Sequence, residues 1–318
     1  MRGCLWLPVG SSDVYAFYRA TVDVIIASRI ALFLSAAFFI LGVFIPSPAL
    51  HPFFMVGGLL AFYFAVMYIQ LPGFVNAVPA RWATWLLLAL FLIGLAASYQ
   101  YGYLPFLPFS LFYALLSARR LTRQPTYYPN AITIAGLLLL PLSPTHIAAV
   151  ASFPLASVYT LLYRIDSSRA RLPLSFKKVL AVTASYLASW LLLVVGQLWA
   201  LLIPSLVLTA SAPPKPRDTY GVGSLLFRWL IALAPLHHHL MYMAFVVIMS
   251  ALCAPYFPPS ILYREMPNYK YELLTMALIA YIARALEIVA LAALAVAALV
   301  LYVAVRLFLS KPVPLKPP

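Results

Sequence analysis

Apolar runs of about 20 residues recur from one end of this chain to the other, and they restrict its fold more than any other feature. Hydrophobic residues make up 65% of the 318 residues, and charged residues only 9%. Soluble domains carry far more charge than this. Inside a bilayer, helices and closed barrels are the structures that satisfy every backbone polar group. The runs therefore predict an all-α protein, a polytopic transmembrane helix bundle that forms a single membrane domain.

Prolines, glycines and charged residues divide the chain into predicted spans, roughly nine or ten by length. The last apolar segment would be about 57 Å long as one helix, against a hydrocarbon core of about 30 Å. We expect two helices there, although no glycine or proline marks a turn. The predicted spans are 24–45, 53–71, 82–101, 104–118, 130–143, 145–163, 179–205, 225–257 and 272–309, the last as one or two helices.

The net charge of +14 lies mostly in the loops between these spans, as the positive-inside rule requires. It therefore indicates insertion into the cell (plasma) membrane, with a cytoplasmic N-terminus, and excludes nucleic acid as the partner. This orientation places Arg164 and Arg169 inside, and Arg217 and Arg228 outside as interfacial anchors or haem-propionate contacts. No glycine-rich phosphate loop with its lysine is present, which excludes nucleotide hydrolysis.

Histidines are the first candidates for chemistry, because the chain has five and the predicted orientation places all of them at the outer face. Imidazole is a common ligand of haem iron and copper, and thioether sulfur is a soft ligand for the same metals. Helical spacing pairs the first and the last histidine of the run at 237–239 each with a methionine four residues later. The candidate metal ligands are His51, His146, His237, His239, Met241 and Met243.

Consecutive residues of a helix point about 100° apart, so His237, His238 and His239 are not expected to share one site. The alternative for these histidines is hydrogen bonding to neighbouring helices or exposure to outer headgroups. Arg284 and Glu287 lie three residues apart and are expected to pair on one helix. Arg284 is otherwise a candidate for a proton or anion relay or for a haem-propionate contact.

The segment "HPFFMVGGLLAFYFAVMYIQLPGFVNAVPARW" (51–82) resembles a segment of NnrS-type proteins, which are polytopic membrane proteins that contain haem and copper and are linked to nitric oxide. The later segments "LHHHLMYMAFVVIMSAL" and "AYIARALE" resemble that family's later histidine helix and its late arginine. Phe53 and Phe54 replace the family's second histidine and its glutamate. The matching residues of the first segment are His51, Met55, Gly58, Gly73, Phe74, Ala77, Val78, Pro79 and Trp82.

The resemblance implies a haem or copper site and a role in nitric oxide metabolism or membrane electron transfer. Two other functions remain open: a secondary transporter, because prolines interrupt several spans, and a hydrophobic anchor subunit of a respiratory complex. Partners would then be the lipid bilayer, and either other respiratory subunits or further copies of the chain. The cofactor-binding residues implied by the resemblance are His51, His237, His238, His239 and Arg284.

Overall fold

The computed structural model describes residues 5–8, 14–45 and 47–313, and within these ranges the chain is mainly helical, with almost no strand. The predicted all-α class is therefore confirmed. One small antiparallel pair of strands is present, in which β1 (Trp6–Pro8) lies beside β2 (Ala77–Pro79) with Trp6 opposite Pro79.

The described residues form fourteen α-helices, several of which are extended by single turns of tighter helix. They are α1 (Val14–Phe44), α2 (Leu50–Val75), α3 (Arg81–Tyr101), α4 (Leu107–Ser117), α5 (Asn130–Leu139), α6 (His146–Val150), α7 (Phe153–Arg169), α8 (Phe176–Val194), α9 (Leu202–Ser211), α10 (Thr219–Leu230), α11 (His238–Ile248), α12 (Ala254–Leu262), α13 (Glu272–Ala285) and α14 (Val289–Leu309).

Seven helical stretches of the described chain are long and apolar enough to cross a membrane. The count is lower than the nine or ten spans predicted, because some predicted spans form helices of fewer than 18 residues. The seven stretches are Ala16–Phe44, Leu50–Val75, Arg81–Tyr101, His146–Arg169, Phe176–Val194, His238–Leu262 and Val289–Leu309.

Two predicted spans are divided by turns whose positions the sequence does not predict. The predicted span 179–205 is interrupted after α8 at Gly196, where φ is +89°, a value that glycine adopts without strain. The segment 272–309 forms α13 and α14, as expected, with Glu287 in the left-handed region at φ +59°. A hydrogen bond from the Ile288 N–H to the Ala283 carbonyl closes the end of α13, so this turn needs no glycine.

A third interruption lies in the predicted span 225–257. α10 ends at Leu230, two turns of tighter helix cover residues 231–236, and α11 begins only at His238. The five residues 249–253 then form a wider, π-type turn between α11 and α12. Such breaks in apolar helices are often found at functional positions, so this stretch is a candidate for movement or binding.

The described chain divides into two compact units. The first comprises the residues up to 161 together with 174–190. Its core is α2, where the Ser35 hydroxyl of α1 donates to the Gly58 carbonyl at 2.7 Å. A Cβ on Gly57 would lie 2.8 Å from the ring of Phe38, so glycine permits α1 to approach α2 closely. The rings of Phe64 and Phe91 add an apolar layer, with centroids 4.8 Å apart.

The second unit comprises residues 162–173 and the chain from 191 onwards. Within it, α10 packs against α9, α11 and the turn at 249–253. A Cβ on Gly223 would lie only 2.2 Å from the Cβ of Ala251, so the absence of a side chain lets α10 lie directly on that turn. The last turn of α7 belongs to this unit, and it carries the polar residues that follow.

Candidate functional site

Two helix ends of the second unit are joined by an ion pair. α10 begins after Asp218, whose side chain accepts a hydrogen bond from the Gly221 N–H at 2.9 Å and caps the helix. Arg169, in the last turn of α7, donates to the same carboxylate through Nη1 at 2.8 Å and also through Nη2. This fork-like pairing lowers the pKa of Asp218, because the guanidinium stabilises the charged carboxylate.

A second ion pair lies one turn away and is completely buried. Arg228 donates from Nη2 to Asp166 Oδ2 at 2.6 Å, and the side chains are 1% and 0% exposed. The Ser224 hydroxyl donates to the same oxygen at 2.7 Å. Arg228 Nη1 donates to the Ala212 carbonyl at 2.9 Å and to the Thr209 hydroxyl at 3.2 Å. Both charges are thus held by hydrogen bonds, as buried charges require.

Tyr220 connects the two pairs. Its hydroxyl is buried and interacts electrostatically with the Asp166 carboxylate. Its ring lies under the guanidinium of Arg169, with the Arg169 Cζ atom 4.6 Å from the ring centroid. Asp166 Oδ1 is also buried and makes no hydrogen bond of good geometry with the described residues. A carboxylate oxygen accepts hydrogen bonds, so this atom keeps acceptor capacity inside the cluster.

Glycine at position 221 makes this arrangement possible. A Cβ on Gly221 would lie 1.9 Å from the carbonyl oxygen of Lys215, closer than any side chain can be placed. The loop that follows α9 therefore folds directly against the first turn of α10. This close approach is needed because the loop carries Asp218, and the end of α9 supplies Thr209 and Ala212 to Arg228.

The ion pairs correct the predicted placement of the two longest polar loops between predicted spans, residues 163–178 and 209–224. Arg169 was expected on the cytoplasmic side of the membrane, and Arg217 and Arg228 were expected on the outer side. Since Arg169 bonds to Asp218, and Asp166 to Arg228, these loops lie at the same end of the second unit, and the prediction is wrong. The opposite placement depended on one continuous span over 179–205, and the structure divides that span at Gly196 into α8 and a separate α9.

Asp166 is a site residue that sequence reasoning missed. It was assigned to a polar loop, whereas it is part of α7 and is fully buried. One signal could have identified it: Asp166 and Arg169 are spaced as residues on one side of a helix, and Asp218 and Arg228 supply the opposite charges later in the chain. The chain has only seven acidic residues, and an acidic residue next to an apolar run predicts a basic partner elsewhere in the chain.

The histidine run adopts a different geometry from the continuous helix that was predicted. His237 has extended backbone, with φ −163° and ψ +130°, and it caps α11 by accepting from the His239 N–H at 3.2 Å. The two rings therefore meet, with centroids 5.0 Å apart. His238 is exposed, Met241 is buried and Met243 is half-buried.

Arg284 lies beside these two rings and does not pair with Glu287 as predicted. Its Nη2 atom is 3.4 Å from His237 Nε2 and 3.2 Å from His239 Nδ1. Among the described residues, the three ion pairs found do not include Arg284 with Glu287. The left-handed backbone at Glu287 ends α13, so the i, i+3 relation on which the prediction depended is lost.

The other two histidines belong to the first unit, and each makes its own hydrogen bond. His51 Nδ1 lies 2.7 Å from the Gly42 carbonyl, which joins the start of α2 to the end of α1. His146 Nδ1 lies 2.6 Å from the Tyr103 hydroxyl. Both are hydrogen-bonded at helix ends, which is the alternative role that the sequence left open for the histidines.

Within the part of the chain that the structure describes, no group of three or more His, Cys, Asp or Glu side chains is arranged to hold a metal ion. His237 and His239, whose ring centroids lie 5.0 Å apart, are a group of two. Haem or copper binding by His51, His146, His237, His238 and His239, with Met241 and Met243, stays a prediction.

Comparison of the chain with protein-family models, with curated protein sequences and with solved structures finds no match. The resemblance to NnrS-type proteins consequently depends on the quoted segments alone, and it too stays a prediction.

Proposed function

We propose that this chain is a polytopic membrane carrier whose transport step depends on the buried pair of Asp166 and Arg228. The observation that supports this most is the burial of both charges, at 0% and 1% exposure, in a helical unit of high apolar content. Ionisable side chains within membrane helices are costly and commonly mark ion or substrate pathways.

In a membrane, the loops that contain residues 169 and 218 would lie on the same side of the bilayer. Seven stretches are long enough to cross alone, and we infer that shorter apolar helices also return the chain across the membrane between them. Residues 169 and 218 lie together, so an even number of crossings separates them. We propose the cell membrane as the location, with the N-terminus and both of these loops in the cytoplasm.

The chemistry of the pair suggests how transport would be coupled to protons. When a proton binds at Asp166 Oδ1, the carboxyl group becomes neutral and Arg228 loses its counter-charge. The guanidinium then needs a new anionic partner, which a carboxylate or phosphate solute would provide. Release of the proton restores the ion pair and displaces the solute. The proposed substrate class is therefore a small organic or inorganic anion moved together with a proton.

Helix interruptions in the same unit provide places where such a movement would be absorbed. They are the tighter helix at 231–236, the wide turn at 249–253, and Pro258 and Pro259 inside α12. Discontinuous helices are a common feature of carriers, because the exposed backbone groups bind solutes or act as hinges. The Gly223 contact with Ala251 links the wide turn directly to α10.

The test uses full-length protein in liposomes that contain a pH-sensitive dye. A panel of carboxylates, phosphate and amines is applied outside, and internal pH is recorded. We expect one class of anion to acidify the interior with wild-type protein, and Asp166→Asn to abolish this acidification. Asp166→Glu should keep part of it. Asp218→Asn is the matched control, because asparagine still caps α10 while the exposed ion pair is lost.

Two results would contradict the carrier proposal. In the first, correctly folded wild-type protein moves no protons with any solute of the panel. In the second, the Asp166→Asn variant moves protons as well as wild type. The rival proposal is a haem- or copper-binding function in nitric oxide metabolism or electron transfer. Its support is the approach of His237 and His239 within 5.0 Å. An absorption spectrum and metal analysis of the purified protein separate the two, since a Soret band or bound copper is expected only for the rival.

A further inference from the structure

The junction of α11 with α13 contains a second polar cluster, formed by His237, His239 and Arg284 in the second unit. It lies at the N-terminus of α11 and in the last turn of α13. Neither proposed function explains its hydrogen bonding, which depends on where the proton of His237 lies.

The cap of α11 determines that position. His237 Nδ1 accepts a hydrogen bond from the His239 backbone N–H at 3.2 Å. Nδ1 uses its lone pair for this bond and therefore carries no proton. A neutral imidazole has one N–H, which must then be on Nε2. A protonated ring would carry hydrogens on both nitrogens and would break the cap. The Nε2 atom of His237 is therefore a hydrogen-bond donor.

The group that faces this donor is also a donor. His237 Nε2 lies 3.4 Å from Arg284 Nη2, and a guanidinium has only N–H groups to offer. These two atoms cannot bond to each other. One hydrogen of Arg284 Nη2 is satisfied by His239 Nδ1 at 3.2 Å, which leaves the other hydrogens of the guanidinium and the Nε2–H of His237 directed toward a shared acceptor.

The charge around the cluster is positive. Arg284 forms no ion pair with a carboxylate among the described residues, and the acidic residue nearest to it in sequence, Glu287, lies beyond the end of α13. The partial positive charge at the N-terminus of α11 adds to that of the guanidinium. Arg284 and His237 are both only half-buried, so a ligand can reach them.

We propose that His237 and Arg284 form a binding site for an oxyanion, a phosphate or carboxylate whose oxygens accept from His237 Nε2–H and from the guanidinium. In a membrane, such a group arrives either as the headgroup of an anionic lipid or as a free anion. A metal ion bound by His237 Nε2 would need the opposite tautomer, which breaks the cap of α11. The cap therefore favours an anion at this position.

Full-length protein in nanodiscs tests the site with two probes, phosphatidylglycerol and inorganic phosphate, each titrated against binding measured by native mass spectrometry. His237→Asn is the informative variant, because the asparagine oxygen still caps α11 while the Nε2–H donor is removed. Arg284→Gln removes the charge. His238→Asn is the matched control, since His238 is exposed and takes no part in the cluster.

We expect wild type and His238→Asn to bind one probe saturably, and His237→Asn and Arg284→Gln each to weaken that binding about tenfold, as for loss of a charge-assisted hydrogen bond. Retention of phosphatidylglycerol alone identifies a lipid headgroup, and binding of inorganic phosphate identifies a free oxyanion. If Arg284→Gln does not fold, His237→Asn alone decides. The proposal is overturned if neither probe binds saturably, or if His237→Asn binds as tightly as wild type. The result is independent of whether Asp166 supports transport.

Discussion

The two ion pairs between α7 and α10 use the same chemical groups in opposite surroundings. Asp166 with Arg228 is 0% and 1% exposed, whereas Arg169 with Asp218 is 33% and 49% exposed. The residues of α7 that form them are three positions apart. Within one turn of helix, therefore, one pair needs protein partners for both of its charges, whereas water can solvate the charges of the other.

The difference follows from solvation. Removal of one partner of a buried pair leaves a charge with neither water nor a counter-ion, which costs about 3–5 kcal/mol. An exposed pair loses much less, typically below about 1 kcal/mol, because water and salt solvate the remaining charge. We therefore expect the buried pair to contribute more to the stability of the unit than the exposed pair, which mainly joins two helix ends.

The largest expected effect is that of Arg228→Met. It leaves Asp166 buried without its cation, and we expect unfolding in detergent to require about 3–5 kcal/mol less free energy than in wild type. The double variant with Asp166→Leu should recover most of this loss, because no charge remains to be desolvated. A single variant as stable as wild type would show that the two charges are not buried together in the folded protein.

Gly221→Ala tests the loop that brings the two pairs together, and its expected effect is smaller. The new Cβ would lie 1.9 Å from the Lys215 carbonyl, so the loop must move, at a cost of about 1–3 kcal/mol. Gly73→Ala is the matched control, because nothing lies within 4 Å of its Cβ position. Equal stability of the two variants, measured by thermal unfolding, would contradict the close packing described for Gly221.

The sequence predicts some parts of this fold closely and misses others. The helical class follows from apolar run length, and helices bounded by prolines or charges are predicted closely, as α3 (Arg81–Tyr101) is by the span 82–101. Turns inside apolar runs are not, because their hydrogen bonds form between backbone atoms. The turn at Gly196 is an example, and in 272–309 the length predicted two helices but not the position of the turn at Glu287.

The candidate site was less predictable than the fold for a related reason. His237 falls within the predicted span 225–257, but its role depends on an extended backbone that no side-chain periodicity reports. Asp166 acquires its importance from Arg228, 62 residues later, and pairings at that distance follow from tertiary packing. Sequence patterns report neighbours within a helix, whereas both clusters of the second unit join residues from different helices.

The smallest expected effect is that of Arg169→Gln, and it sharpens the comparison through pH and salt. The guanidinium lowers the pKa of Asp218 below its usual value of about 4, so the stabilisation is fully present above that pH. It is lost as the pH falls through the lowered value, when the carboxylate is protonated. We expect a deficit below about 1 kcal/mol at neutral pH that shrinks in acid and in high salt. Arg217→Gln, at an exposed position of the same loop, is the control and should match wild type throughout. A deficit as large as that of Arg228→Met, or one that does not respond to salt, would mean that the exposed pair is excluded from water in the membrane-embedded protein.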